Sequence, residues 1–117
     1  MKPDAAKLSA LLLAQLTPEE REHGVVYQFS DPVESGTTLK FPRCTIRVPW
    51  NALLAFIDRE PLANWGHSAR FILINRSTGE TMSVEARFPP FRKENQRLWR
   101  VAYQAPTVPD TALAVPK

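Results

Sequence analysis

The sequence predicts a mainly β domain: a small antiparallel β-sandwich or partly open barrel, with an N-terminal helix and a short inserted helix. Three observations lead there. Runs of β-branched and aromatic residues recur between Val25 and Gln104, separated by proline- and glycine-containing turns. Apolar residues recur at helical spacing in two short stretches, one near the N-terminus and one after Pro49. Strands do not alternate with helices as a parallel nucleotide-binding sheet would require.

Residues 4–16 are predicted to be helical. Leu8, Leu11, Leu12 and Leu16 make one apolar stripe, and Asp4 stands where an N-cap belongs. So short a helix is marginal alone, so its stripe must dock on the β core or on a partner. Thr17 caps a second helix, with Pro18 at its first position and Glu20 completing a capping box. Gly24 ends it.

Val25-Val26-Tyr27-Gln28-Phe29 is the first strand. Thr38 to Val48 reads as a long strand with a parity switch at Pro42-Arg43, because Leu39 and Phe41 share one parity and Cys44, Ile46 and Val48 the other. A bulge or an exchange between sheets is expected there. After Pro49, the residues Trp50, Leu53, Leu54 and Ile57 match the spacing of a short helix. Residues 60–68 are a loop. Residues 69–88 are an antiparallel hairpin around Asn75-Arg76-Ser77-Thr78-Gly79, with Met82, Val84, Ala86 and Phe88 inward. Leu98 to Gln104 is the last strand, with Trp99, Val101 and Tyr103 on one face. One β-rich domain is therefore expected over residues 1–104, with the helical segment 1–23 packed on it. Residues 105–117 are expected to be a flexible tail containing Pro106, Pro109 and Pro116.

Composition narrows the function. With 44% apolar and 23% charged residues, wholesale disorder is excluded. A formal charge of +3 is mildly basic, well short of a histone-like balance. The single cysteine, Cys44, allows neither an intramolecular disulfide nor a cysteine-rich zinc site. The apolar run Leu8–Leu16 is too short to span a bilayer. It is also followed by no small-x-small cleavage site, so a cytoplasmic protein is expected, with a mature secreted chain as the alternative.

The loop Asn64-Trp65-Gly66-His67-Ser68 is the most suggestive segment. Asn64, Trp65 and His67 are its candidate ligand-binding residues, beside a glycine that permits close backbone approach. The competing reading has Trp65 filling the core and His67 capping a strand end, the commoner fate of a large aromatic.

Basic residues gather toward the C-terminus. Arg92, Lys93, Arg97 and Arg100 interleave with Phe91, Trp99 and Tyr103, as in β domains that hold single-stranded nucleic acid. Against this, Trp99 and Tyr103 share parity with Val101, which suits a core face. A Cys44–His67 dyad lacks any local nucleophile signature. His23 and His67 are not at metal-ligand spacing, and Asp31 with Glu34 gives too few ligands for calcium. Asn75-Arg76-Ser77 fits a glycosylation sequon, but without a secretory signal it reads as ordinary turn chemistry.

The first expectation is thus a non-enzymatic β-sandwich binding or protein-interaction module, without cofactor, metal or catalytic residues, whose partner is another protein. The alternative is a basic nucleic-acid-binding β domain using Arg92, Lys93, Arg97 and Arg100. A small hydrolase using His67 is the third.

Overall fold

The computed structural model describes residues 3–117; the first two residues of the segment 1–23 lie outside the described residues. Helix α1 spans Ala5–Ala14, with the Asp4 side chain accepting from the Lys7 backbone N–H at 2.8 Å. Helix α2 spans Pro18–His23 and starts with the expected capping box: Thr17 N–H donates to Glu20 Oε1 at 2.9 Å, and Glu20 N–H to Thr17 Oγ1 at 3.2 Å. Gly24 ends α2 with extended backbone, not in the left-handed region. Glycine is needed there for space: a Cβ would stand 2.7 Å from the Glu20 carbonyl oxygen and 3.1 Å from that of Asp58.

Seven strands follow: β1 (Val25–Phe29), β2 (Thr38–Phe41), β3 (Cys44–Arg47), β4 (Ala52–Asp58), β5 (Ala69–Asn75), β6 (Thr81–Ala86) and β7 (Trp99–Gln104). Five form one antiparallel sheet in the order β6-β5-β4-β1-β7, and β2 with β3 form a separate hairpin. The described residues form a compact, mainly β domain with no closed barrel. No described helix is long and apolar enough to cross a membrane.

Each face of the large sheet carries its own core. On one, the stripe Leu8, Leu12 and Leu16 packs on Val26, Leu53, Ala55, Ile57, Ile72 and Ile74, so the N-terminal helix docks on the sheet. On the other, Tyr27, Leu54, Phe56, Phe71 and Leu73 share a core with Ile46 and Val48, and Phe41 of the β2–β3 hairpin stacks on Phe71 at 4.4 Å between ring centroids.

Four sequence expectations need correction. The short helix after Pro49 is strand β4, in which every residue is buried. Trp50, Leu53, Leu54 and Ile57 do match helical spacing, but Ala52, Ala55 and Phe56 fill the gaps. The result is an apolar run of both parities, as a strand buried on both faces requires: Leu53, Ala55 and Ile57 face the helices, Leu54 and Phe56 the hairpin. Next, the parity switch at Pro42-Arg43 is a two-residue hairpin turn rather than a bulge or sheet exchange. Phe41 pairs with Cys44 and Leu39 with Ile46, so all four point to one face. Proline presets its own backbone angle, and Arg43 takes a positive φ of 54°. A real bulge lies in β7 instead. Tyr27 pairs with Val101 and Val26 with Tyr103, which leaves Ala102 as the extra residue. Tyr103 therefore does not simply continue the face of Trp99 and Val101; its hydroxyl donates to the Arg21 carbonyl beyond the sheet. Finally, residues 105–117 lie on the domain. Ala105, Val108 and Val115 are buried in the hairpin-side core, and Ala114 N–H donates to the Tyr27 hydroxyl at 3.0 Å.

The hairpin at 69–88 pairs as expected, Ala69 with Ala86 through Ile74 with Thr81. Met82, Val84, Ala86 and Phe88 do face inward, but they are half-buried, because β6 is an edge strand. In its turn, the Asn75 side chain accepts from Ser77 and Thr78 N–H, and the residue is buried, which is the turn chemistry of the sequon's second reading.

Candidate functional site

Strand β4 ends in Asp58 and β5 begins at Ala69; the loop between them carries the candidate residues. Its base is tied on two sides. Arg59 N–H donates to the Ser68 carbonyl at 2.9 Å, and Ser68 N–H to the Glu60 carboxylate at 2.6 Å. Inside, His67 Nδ1 lies 2.9 Å from both carboxylate oxygens of the buried Asp58. Burial pushes the Asp58 carboxyl above its ordinary range, and the hydrogen bond with His67 opposes that. His67 backbone N–H donates to the Arg87 carbonyl at 2.6 Å, which fastens the loop to the end of β6.

A charged cluster reinforces the base. Glu20 is fully buried, and its carboxylate takes Arg59 Nε at 2.9 Å and Arg70 Nε and Nη2 at 3.0 and 2.9 Å. Burial alone would raise the Glu20 pKa; hydrogen bonds from Arg70, the Thr17 backbone and Arg59 outweigh it and hold the group below the usual range. Arg59 reaches on to Glu85 with two bonds, at 2.8 and 3.1 Å, which lower the Glu85 pKa as well.

On this base, Gly66 takes a positive φ of 45° and sends its two neighbours opposite ways. His67 turns inward to Asp58. Trp65 turns outward and is 74% exposed, with its ring edge-on to Phe88 at 5.3 Å. Arg43, at the tip of the β2–β3 hairpin, sets its guanidinium 5.6 Å from the centroid of that same Phe88 ring. Arg43, Trp65, Ser68, Glu85, Arg87 and Phe88 line a cleft of about 350 Å³. Asn64 is exposed beside Trp65. Among the described residues, the exposed large apolar side chains are Leu62, at 69%, and Trp65, both on this loop.

Comparison with models of protein families, with curated proteins and with solved structures finds no significant match.

Of the three loop residues singled out from sequence, Trp65 and Asn64 face solvent, and His67 buttresses the loop from within. The partners that complete the cleft, Arg43 and Phe88, come from a hairpin tip and a strand end. The basic candidates Arg92, Lys93, Arg97 and Arg100 are all exposed. The aromatics between them are committed elsewhere: Phe91 packs on Tyr27 at 4.6 Å and on Trp99 at 5.5 Å. Cys44 is half-buried against the hairpin-side core, where burial raises its thiol pKa, the opposite of nucleophile activation. The Asp58–His67 pair does orient an imidazole as hydrolytic sites do. Among the described residues, no hydroxyl or thiol hydrogen-bonds the second ring nitrogen.

Proposed function

We propose that the chain is a binding module that recognises another protein through the Trp65 cleft, on a small β-sandwich-like scaffold. The observation that carries this reading is the placement of Leu62 and Trp65. Among the described residues the other large apolar side chains are buried at least in part, yet these two stand in water on a loop fastened at both ends. A large aromatic held out by rigid supports is the form of an interface anchor, because little ordering remains to be done on binding. Phe88 and Arg43 add an apolar floor and a cation beside it. His67 contributes as a support from beneath.

The test is a direct affinity comparison. A protein captured from cells by the wild-type chain is purified and titrated against wild type and Trp65→Ala. A loss of about 30-fold or more, the equivalent of a 2 kcal/mol anchor, supports the reading. Equal affinities overturn it.

The nucleic-acid alternative retains the exposed charges of Arg92, Lys93, Arg97 and Arg100 but lacks interleaved stacking rings. Steeply salt-dependent retention on single-stranded DNA, abolished by neutralising those four residues, would favour it.

A further inference from the structure

We propose that β6 receives an extended peptide segment of another protein as an added antiparallel or parallel strand, with an acidic and a neighbouring apolar side chain of that segment entering the Trp65 cleft. The inference rests on the reading of the cleft as a recognition surface and names the kind of partner it takes.

Asn75 N–H donates to the Glu80 carbonyl at 2.7 Å, so that pair is a hydrogen-bonded one. Hydrogen-bonded and non-hydrogen-bonded pairs alternate along an antiparallel ladder. With Leu73 opposite Met82, Phe71 opposite Val84 and Ala69 opposite Ala86, these even-numbered residues of β6 bond to β5. Thr81, Ser83 and Glu85 consequently aim their N–H and C=O groups away from the sheet. The opposite side of β5 agrees: Arg59 N–H bonds the Ser68 carbonyl, so the even-numbered residues of β5 face β4. Strand β6 is a sheet edge, and among the described residues no loop or strand bonds the backbone of Thr81, Ser83 or Glu85. An edge of this kind is a template for a further strand.

The edge leads into the cleft. Glu85 and Ala86, the last residues of the strand, and Arg87 and Phe88, which directly follow it, line the cleft, so a peptide paired along β6 passes Trp65. The charge there calls for an acidic ligand. Glu85 is already neutralised by Arg59. Arg43 and Arg87 form no salt bridge among the described residues, and residues 37–48 contain Lys40, Arg43 and Arg47 but no acid. Trp65 and Phe88 supply the apolar contact. A single exposed ring beside a free strand edge fits a peptide better than a nucleic-acid strand, which uses successive stacking platforms.

The probe is a phage-displayed library of random linear peptides selected on the full chain, followed by titration of the most enriched peptide. Ser83→Pro removes an outward N–H without removing a bond to β5, and prolines are tolerated at such positions. Ser83→Ala is its control, since the hydroxyl accepts from Arg70 and the alanine keeps the N–H. Expected are acidic-apolar sequences, an affinity reduced about tenfold or more by Ser83→Pro and by Trp65→Ala, and wild-type affinity with Ser83→Ala. The peptide should also slow hydrogen exchange at the amides of Thr81, Ser83 and Glu85 in the wild-type chain, a readout independent of whether the proline variant folds. Binding that depends on Trp65 while those amides exchange freely overturns strand addition and leaves the cleft as a recognition surface. Enrichment of no peptide overturns it as well. So does self-association of the free chain that Ser83→Pro abolishes, which assigns the edge to a second copy, or competition for the cleft by single-stranded oligothymidine alone.

Discussion

The carboxylate of Glu20, fully buried, is clasped by the guanidinium of Arg70, fifty residues further along the chain. The same carboxylate closes the capping box of α2 and anchors Arg59. One side chain thus starts a helix, fixes that helix to β5 and braces the loop that carries Trp65. Glu20→Gln leaves two guanidinium groups without their buried counter-charge. We expect a loss of about 3 kcal/mol in unfolding free energy by denaturant titration at neutral pH.

Two buried carboxyls give opposite pH signatures. Glu20 has a depressed pKa, so its contribution is present above the ordinary 4.5 and disappears as pH falls through the lowered folded value. Asp58 has a raised pKa, so its contribution is complete below the ordinary 3.8 and declines as pH rises through the raised folded value. The stability gap between wild type and Glu20→Gln should narrow on acidification. The gap between wild type and Asp58→Asn should move in favour of wild type over the same range. Unfolding curves at stepped pH measure both, and parallel curves would contradict the assignment.

Leu12→Ala removes a side chain with no exposure from the seam between α1 and the sheet. The expected cost is about 2–5 kcal/mol. A chain lacking residues 1–23 should melt well below the full chain, because Val26, Ile57 and Ile72 would face water.

Gly24→Ala drives a methyl carbon into the carbonyl oxygens of Glu20 and Asp58, both backbone atoms with little room to move. A loss of about 1–3 kcal/mol is expected. Gly36→Ala, with a positive φ of 86° and open space around it, tests the other mechanism, backbone strain without a clash.

Trp65→Ala should alter unfolding free energy by no more than about 0.5 kcal/mol, as exposed substitutions do, even while it weakens partner binding. A large drop in stability would recast Trp65 as a packing residue for Phe88.

Local chemistry was legible. Asp4, Thr17, Pro18 and Glu20 announce their helix starts because caps depend on neighbours a few residues away. The β5–β6 pairing follows from period-two alternation around a glycine turn. What depends on distant partners was not. Nothing near Glu20 in sequence announces Arg59 or Arg70, and the spacing of Leu53, Leu54 and Ile57 is shared by a helix and by a strand buried on both faces. The parity switch at Pro42-Arg43 was visible, but a turn and a bulge produce the same switch. Trp65 was legible as a candidate and its exposure was not, since burial is decided by how Gly66 directs the chain. The prolines of 105–117 suggested freedom, whereas Val108 and Val115 are the residues that seat the segment.

That last segment sets an order of events during synthesis. The large sheet is covered on one face by Leu8 and Leu12, made before its strands, and the other face is completed by Val108 and Val115, made after them. A nascent chain can lay its leucine stripe on β1, β4 and β5 as they emerge, yet the apolar bed around Tyr27 and Trp99 stays incompletely roofed until residue 115 is out. Translation intermediates that end at residue 104 should therefore be cut readily by protease, whereas a chain that includes residues 105–117 resists.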